Sequence, residues 1–192
     1  MLVIGRSYLN SMTLRELGLK NCGENVMVHE SCELVGAENI YLGNNVRIDP
    51  WCILAASRGR IEIGNYVHIG ASCYLSGTAG IEMQHFAGLS QGVKIYSATD
   101  DYAGGGLTNP TVPEKYLNIR AGSVRLGRHV IVGSGSIVLP SAEIGEGTAV
   151  GALSVVTKSL APWSICAGVP ARRLRERRQD LIQKYEAELL SS

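Results

Sequence analysis

Aliphatic residues recur at every sixth position over most of the chain. The clearest stretch runs from Leu126 to Ser154 and contains five consecutive units, each opened by an aliphatic residue and carrying a smaller residue at its fifth position. The same phase continues through Leu42, Ile48, Leu54, Ile63, Ile69, Leu75, Met83, Leu89 and Ile95. Because one coil cannot bury its aliphatic residues alone, this repeat predicts a stack of equivalent coils with three short strands each.

The chain departs from the solenoid where the repeat fails. The predicted β-helix domain spans residues 22–170, and the six-residue phase is lost over residues 96–123. Irregular excursions from a rigid scaffold are the places where binding sites are built. Three consecutive glycines at 104–106 also suit close approach to a ligand. We therefore expect this inserted loop to carry the chemistry.

The two ends of the chain are predicted to cap the exposed ends of the coil stack. Residues 1–21 form a lead-in with a brief helix, for which Ser11 or Thr13 supplies the N-cap and Gly18 the end. Residues 171–192 are predicted to form a C-terminal helix, because apolar side chains recur there at helical spacing from about residue 172.

Composition narrows the function classes. The chain has 192 residues, of which 45% are apolar and 23 are glycine, and its net charge is +1. The apolar content supports a buried core, and the balanced charge gives no reason to expect a nucleic acid or an anionic membrane as a partner. No apolar run reaches the ~20 residues that a membrane-spanning helix needs, so the cytoplasm is the expected compartment.

The five cysteines lack the CxxC spacing of zinc or redox sites. Cys32, Cys52 and Cys73 all fall on the small fifth position of a repeat, which points into the narrow interior. A free thiol packs there as a small apolar group. We therefore expect buried free thiols and no metal site.

Three segments near the C-terminal end resemble the signature of the left-handed β-helix acyltransferases with hexapeptide repeats. They are Val132–Pro140, Ser154–Lys158 and Ala167–Ala171. The resemblance covers roughly residues 22–178. It implies a left-handed all-β solenoid, acetyl-CoA as the cosubstrate, and a homotrimer with active sites between subunits.

The same resemblance assigns several residues to the coenzyme. Ser134 and Ala152 match positions beside the pantetheine arm. Thr157 and Lys158 match positions near the adenine and phosphate end, and Arg175 matches a basic residue near the 3′-phosphate. Cations on phosphate form charge-assisted contacts, which suits these roles. The simpler alternative is that the small residues only fit the corners and the cations are solvated.

The stretch Gly88–Tyr102 resembles a narrower branch, the N-acyltransferases that act on nucleotide-linked 4-amino-4,6-dideoxyhexoses, as in the viosamine and anthrose pathways. Related saccharide O-acetyltransferases have a histidine where this chain has Asp100. In the narrower branch an aspartate at this position is the proposed base, and the serine matching Ser90 is proposed to stabilise the oxyanion. A carboxylate suits an attacking amine, whose proton becomes acidic once the tetrahedral adduct forms.

Further residues in and near the loop are expected to contact the sugar nucleotide, because aromatic rings stack on bases and amides bind hydroxyl groups. They are Tyr96, Asp101, Tyr102, Asn109, Tyr116 and His85. Asp100 and Asp101 have the alternative of shaping a turn, and Ser90 that of a buried corner serine.

The leading hypothesis is an acetyl-CoA-dependent N-acyltransferase for the amino group of a nucleotide-linked amino-dideoxy sugar. The expected acceptor is dTDP-4-amino-4,6-dideoxyglucose, made for a surface polysaccharide such as the O-antigen of lipopolysaccharide. Two alternatives stay open. One is an O-acetyltransferase on a saccharide hydroxyl that uses His85 or an unrecognised residue as its base. The other is a noncatalytic β-helix scaffold.

Overall fold

The structure is a computed structural model that describes residues 7–19 and 21–191. They form a left-handed parallel β-solenoid of about seven turns, which confirms the predicted fold class. Each coil contributes a short strand to each of three flat sheets, here called the first, second and third faces. Within a coil the chain runs from the third face to the first and then to the second.

The first face contains, in spatial order, Tyr8–Asn10, Met27–His29, Arg47–Ile48, His68–Ile69, Gly88–Leu89, Ile131–Val132, Ala149–Val150, Ser164–Ala167 and Arg172–Glu176. The second face contains Glu33–Val35, Ile53–Ala55, Tyr74–Ser76, Lys94–Tyr96, Ile137–Val138 and Val155–Val156. The third face contains Asn21–Cys22, Ile40–Leu42, Ile61–Ile63, Ile81–Met83, Val124–Leu126 and Glu143–Ile144. Short 3-10 helices form at Ala37–Asn39 and Glu114–Tyr116.

The core is a set of aliphatic columns that run down the inside of the prism. On the first face one column consists of Ile48, Ile69, Leu89, Val132 and Val150, which are in register from coil to coil. Each of these residues is at most 3% exposed. Because successive strand residues point to opposite sides of a sheet, their neighbours His68 and Ile131 point outward.

The interior thiols lie largely where the repeat predicts them. Cys52 and Cys73 are at most 1% exposed, and Cys32 is half-buried. Each of the three thiols lies 3.1–3.2 Å from a backbone carbonyl oxygen of the adjacent coil. The five cysteines are free.

The N-terminal end differs from the prediction in its helix cap. Helix α1 (Ser11–Glu16) is capped by Asn10, whose side chain accepts a hydrogen bond from the Thr13 N–H. The Ser11 hydroxyl instead accepts from the Val26 N–H, and so ties the helix to the first coil. Gly18 follows the helix with a φ of +101°, in agreement with its predicted role. Residues 1–6 of the predicted lead-in lie outside the described residues.

The prediction of a helix from about residue 172 is wrong over its first part. Arg172–Glu176 forms a strand antiparallel to Ser164–Ala167 and extends the first face. All five of its residues are exposed, so no alternation of apolar and polar residues marks the strand in the sequence. Helix α2 begins later and covers Asp180–Ser191.

Candidate active site

The inserted loop covers the corner between the second and third faces, here called the loop corner. Its stem is an antiparallel ribbon in which Ala98–Thr99 pairs with Arg120–Ala121. Loop and second face together form a groove of about 730 Å³, here called the Asp100 groove. It is lined by Arg58, Tyr74, Ser76, Thr78, Ala98, Thr99, Asp100, Pro110, Val112, Glu114, Leu117 and Ile119.

Asp100 is half-buried in this groove. Among the described residues its carboxylate has no hydrogen-bond or ion-pair partner. Both of its oxygens are therefore open to a ligand, and a carboxylate so placed can accept a proton from a bound group.

Asp101 has a different environment and organises the loop. Its side chain is 1% exposed and forms an ion pair with Arg120 at 3.0 Å. Hydrogen bonds from the N–H groups of Ala103 and Gly105 and from the Asn118 amide fall between 2.8 and 2.9 Å. These contacts, led by the Ala103 hydrogen bond, lower the pKa of Asp101. The carboxylate is thus engaged within the loop, where the sequence had suggested contact with the substrate.

Ser90 lies at the corner between the first and second faces, here called the Ser90 corner. It is half-buried and lines a small groove of about 150 Å³, here called the Ser90 groove. The other residues of this groove are His68, Gly70, Gly88, Leu89, Gln91 and Ile131. Within the described part of the chain its hydroxyl has no hydrogen-bond partner, so a ligand can take that position.

The structure separates Ser90 from Asp100 by the width of the second face. The strand Lys94–Tyr96 and one residue on each side span about 13 Å at the usual rise of an extended chain. One amino group cannot reach both side chains across that distance. The two predicted catalytic residues therefore belong to two different grooves of one chain.

The predicted coenzyme residues also divide between the two corners. Ser134 and Ala152 continue the Ser90 corner in the next two coils, where the Ser134 hydroxyl lies 3.2 Å from Oε1 of Gln91. Thr157 and Lys158 are exposed and follow the strand Val155–Val156 at the loop corner.

Arg175 lies apart from both corners. It is exposed in the last strand of the first face, where it pairs with Ile165. Ser134 and Ala152 thus lie at one corner and Thr157 and Lys158 at another. Arg175 lies at the C-terminal end of the stack.

The aromatic and amide residues predicted to bind the nucleotide have mixed placements. The Tyr96 ring lies 5.7 Å from the ring of Tyr74, beside the Asp100 groove. Burial is the main cause of the raised pKa of Tyr96. Tyr102 and Tyr116 are exposed, at 92% and 52%. The Asn109 side chain accepts hydrogen bonds from the N–H and hydroxyl of Thr111, so it shapes the loop backbone.

His85 lies on a third corner, away from Ser90 and Asp100. Its Nδ1 accepts a hydrogen bond of 2.8 Å from the Asn65 N–H, so its proton sits on Nε2 and the ring cannot act as a base at Nδ1. It lines a separate groove of about 610 Å³ along the third face. His29 is 8% exposed, and the His129 side chain is 9% exposed and lies against Glu186.

The sequence reasoning missed several groove residues. Tyr74 and Ser76 flank the buried Leu75, so the six-residue phase already places them outward, one coil above Tyr96. Exposed apolar residues also follow the Ser90 corner: Trp51, Leu153 and Val169 are 68%, 75% and 72% exposed. In the sequence these residues can be recognised as apolar residues at corner positions, where the repeat does not require a buried side chain.

The described residues also bear on metal binding and on membrane insertion. Among residues 7–19 and 21–191, no group of three or more His, Cys, Asp or Glu side chains is placed to hold a metal ion. Within the same ranges no helix has the length and apolar character needed to cross a bilayer.

Comparison with known sequences finds relatives that align over most of this chain, although no protein-family model matches it. The chain is 41% identical over 177 residues to a dTDP-4-amino-4,6-dideoxy-D-glucose acyltransferase of Escherichia coli, with 92% of each protein covered. It is 28% identical over 177 residues to the putative lipopolysaccharide biosynthesis O-acetyl transferase WbbJ of Escherichia coli K12. That match covers 91% of this chain and 76% of the relative.

Solved structures of AntD, an N-acyltransferase from Bacillus cereus, have the same fold. Its complex with dTDP and 3-hydroxybutyryl-CoA is 40% identical, with a TM-score of 0.91 and coverage of 97% of this chain and 98% of AntD. An AntD variant bound to dTDP-4-amino-4,6-dideoxyglucose and coenzyme A is 39% identical, with a TM-score of 0.92 and coverage of 97% and 100%. The solved AntD variants replace a serine and an aspartate that lie ten residues apart.

The fold and these likenesses define a hexapeptide-repeat acyltransferase of the left-handed β-helix class. Within that class, the chain belongs to the family of the dTDP-4-amino-4,6-dideoxyglucose acyltransferases. The resemblance seen in the sequence is thereby confirmed, as is the prediction of an acyl-CoA cosubstrate.

Proposed function

We propose that this chain transfers the acyl group of an acyl-CoA to the 4-amino group of dTDP-4-amino-4,6-dideoxyglucose. The observation that carries the proposal is the unpartnered Asp100 carboxylate in a groove of about 730 Å³ beside the inserted loop. The ten-residue spacing of Ser90 and Asp100 equals the spacing of the serine and aspartate replaced in AntD, which supports their pairing as functional residues.

The chemistry needs no covalent enzyme intermediate. The neutral amine attacks the thioester carbonyl carbon, a C–N bond forms, and the carbonyl electron pair moves to oxygen. The Ser90 hydroxyl donates a hydrogen bond to that oxyanion, a contribution of about 3 kcal/mol in comparable sites. Asp100 takes the proton from nitrogen, and the C–S bond breaks as the carbonyl re-forms. The departing thiolate then receives the proton and leaves as the free thiol of coenzyme A.

The proposed active site is shared between two copies of the chain. Since the oxygen and nitrogen of one tetrahedral adduct cannot reach Ser90 and Asp100 of the same chain, Ser90 of one copy acts with the Asp100 of its neighbour. Cyclic packing of three prisms brings the Ser90 corner of each copy to the loop corner of the next, so we propose a homotrimer.

The coenzyme follows from the same arrangement. It lies between copies, with Ser134 and Ala152 beside its pantetheine arm. Lys158 and Thr157 of the facing copy lie beside its adenine and phosphate end, and Arg175 near its 3′-phosphate. Ser134 and Ala152 lie at the Ser90 corner in the coils after Ser90, and Thr157 and Lys158 lie at the loop corner after the loop. The charged Lys158 is exposed, so it can bind phosphate.

The acyl group, the product's use and the compartment are the finer parts of the proposal. Acetyl is the predicted group, whereas one AntD complex contains the longer 3-hydroxybutyryl thioester, so acyl-CoAs of both lengths are test substrates. The product would serve surface polysaccharide such as O-antigen. The cytoplasm is the proposed compartment, since its reducing conditions keep the five free cysteines reduced.

O-acetylation of a hydroxyl is the weaker candidate. No histidine is among the described residues that line the Asp100 groove, and the Nδ1 of His85 is already engaged. A weakly acidic sugar hydroxyl benefits from a histidine base, and this chain has Asp100 at the position where the related saccharide O-acetyltransferases have that histidine.

Replacement of Asp100 tests the proposed base. Asp100→Asn should lower kcat for the nucleotide-linked amine at least about 100-fold, the lower range for loss of a general base, while the Kd of coenzyme A changes less than about twofold. Thiol release gives kcat and calorimetry gives the Kd. Glu143→Gln, which removes an exposed carboxylate on the third face, is the matched control. Substantial turnover by Asp100→Asn would remove Asp100 from the base role.

Subunit mixing tests the shared site. Ser90→Ala and Asp100→Asn chains are each inactive, are dissociated, and are reassembled at equal amounts. If each site uses two copies, about one quarter of the sites regain both native residues, and activity returns to that fraction. If both residues act within one chain, mixing restores nothing. Light scattering should show three chains of 20.5 kDa in the assembly.

A further inference from the structure

A second ionisable side chain shares the Ser90 groove. His68 projects outward from the first face and lines the same groove of about 150 Å³ as Ser90. Its strand pairs in register with Gly88 on the following coil, so no side chain lies on the outer surface beside the imidazole on that side. The ring is therefore open to a ligand that occupies the position next to Ser90.

The imidazole is held by a carboxylate on the preceding coil. His68 Nε2 lies 2.8 Å from Oδ2 of Asp49, whose side chain is only 18% exposed. Because a carboxylate can only accept, the proton of the neutral ring must sit on Nε2. Nδ1 then carries the free electron pair, and among the described residues it has no partner.

Asp49 stays ionised in this setting. Its other oxygen, Oδ1, accepts from Arg47 Nε at 2.7 Å and from the Tyr8 hydroxyl at 2.8 Å. Burial alone raises the pKa of Asp49, but hydrogen bonds from His68, Arg47 and Tyr8 outweigh it and bring the pKa to about 2. A fixed negative charge therefore lies against Nε2 of His68.

The remaining surroundings of the ring carry little charge. The Arg47 side chain lies on the adjacent strand, in register with His68, and opposes a positive imidazole. Tyr8 reaches Asp49 on the side away from the groove. On the groove side, Gly70, Gly88, Leu89, Ser90, Gln91 and Ile131 are uncharged. The side chain is also 56% exposed, so a proton taken up there can pass to solvent.

We propose that His68, oriented by Asp49, accepts the proton that the acceptor's ammonium group must lose before its nitrogen can attack. The inference rests on the proposed function and assigns a step that precedes the action of Asp100. The ammonium R–NH₃⁺ gives one proton to Nδ1, which leaves the neutral amine R–NH₂ and an imidazolium paired with Asp49. The imidazolium then releases that proton to water. An imidazole nitrogen with a free electron pair can accept such a proton and pass it on.

The test compares three variants over a range of pH with dTDP-4-amino-4,6-dideoxyglucose and acetyl-CoA. His68→Gln keeps an amide that can donate to Asp49 but cannot carry a proton. Asp49→Asn weakens the orientation and removes the charge. Glu143→Gln is the control, because it removes an exposed carboxylate on the third face, outside both grooves. Thiol release gives kcat/KM, and coenzyme A affinity together with thermal unfolding checks that each variant is folded.

His68→Gln should lower kcat/KM about 100-fold at pH 6.5, and the deficit should shrink to less than about fivefold at pH 9. The reason is that the amine is mostly neutral at high pH and no longer needs a proton acceptor. Asp49→Asn should show a smaller deficit with the same pH trend. Glu143→Gln should stay within about twofold of the native enzyme across the range.

Three results would overturn the role of His68: a His68→Gln enzyme like the native one, a deficit that is equal at every pH, or an equal deficit in Glu143→Gln. A deficit that is equal at every pH would show that the cluster is only structural, and an equal deficit in Glu143→Gln would show that the loss is not specific to His68. A native enzyme that is inert toward every nucleotide-linked amine would instead overturn the proposed function itself. The two failures are therefore distinguishable.

Discussion

Val132 offers a direct test of how the coils hold together. It is 0% exposed and stands between Leu89 of the coil above and Val150 of the coil below. Val132→Ala removes two methyl groups from this column. The lost burial costs about 1.6 kcal/mol at 0.8 kcal/mol per group. A rigid stack leaves a cavity that adds about 1 kcal/mol, so we expect the free energy of unfolding to fall by about 2.5 kcal/mol.

Val35 supplies the matched control. It also lies in a solenoid strand, but it points outward and is 44% exposed. Val35→Ala removes the same two groups without opening an interior cavity, so its cost should stay below about 1 kcal/mol.

The assay is urea unfolding followed by tryptophan fluorescence, at one fixed protein concentration because assembly contributes to stability. Both variants should keep the native slope and differ only in midpoint. Equal losses for Val132→Ala and Val35→Ala would refute the alternation of inward and outward positions on which the fold argument depends. A Val132→Ala cost below 1 kcal/mol would refute the rigid packing of the column.

Two further predictions concern the carboxylates. The pKa of Asp49 in the folded chain is about 2, below its ordinary value of 3.8. The ionised side chain therefore adds about 2 kcal/mol to the free energy of unfolding. This contribution is complete above pH 3.8 and is lost as the pH falls through 2. Urea unfolding should therefore show Asp49→Asn less stable than the native chain at pH 6 and equal to it near pH 2; a constant gap would contradict this. Asp101→Asn should speed proteolytic cleavage within 96–123 about tenfold, because it unpairs the loop's own donors. Unchanged cleavage, read by mass spectrometry, would contradict the loop-organising role.

The six-residue repeat predicted the interior of the protein well. The phase that places Leu75, Leu89 and Ile95 inward is the phase found in the structure. The reason is that every coil must bury its aliphatic residues against its neighbours in the same way. The hand of the solenoid followed only from the resemblance, since a period contains no information about handedness. The strand Arg172–Glu176 escaped prediction because an exposed edge strand needs no apolar side.

The candidate site was less predictable than the core. Asp100 and Asp101 are adjacent and chemically identical, yet one is free in a groove and the other is bound by four partners. Only the path of the loop decides between them. His68 and Asp49 lie 19 residues apart in the sequence and meet because one coil stacks on the next. Predicting such a pair requires the exact number of residues in each coil. That number varies between coils here, so the repeat alone does not provide it.

The most direct test of the central claim is thiol release from acetyl-CoA with a panel of acceptors. The panel contains dTDP-4-amino-4,6-dideoxyglucose, its 3-amino isomer, UDP-linked amino sugars and saccharides that offer only hydroxyl groups. The account predicts rapid release with the dTDP-linked 4-amine and none with the hydroxyl sugars. Release with hydroxyl sugars alone would contradict the account and make the chain an O-acetyltransferase with a base other than Asp100.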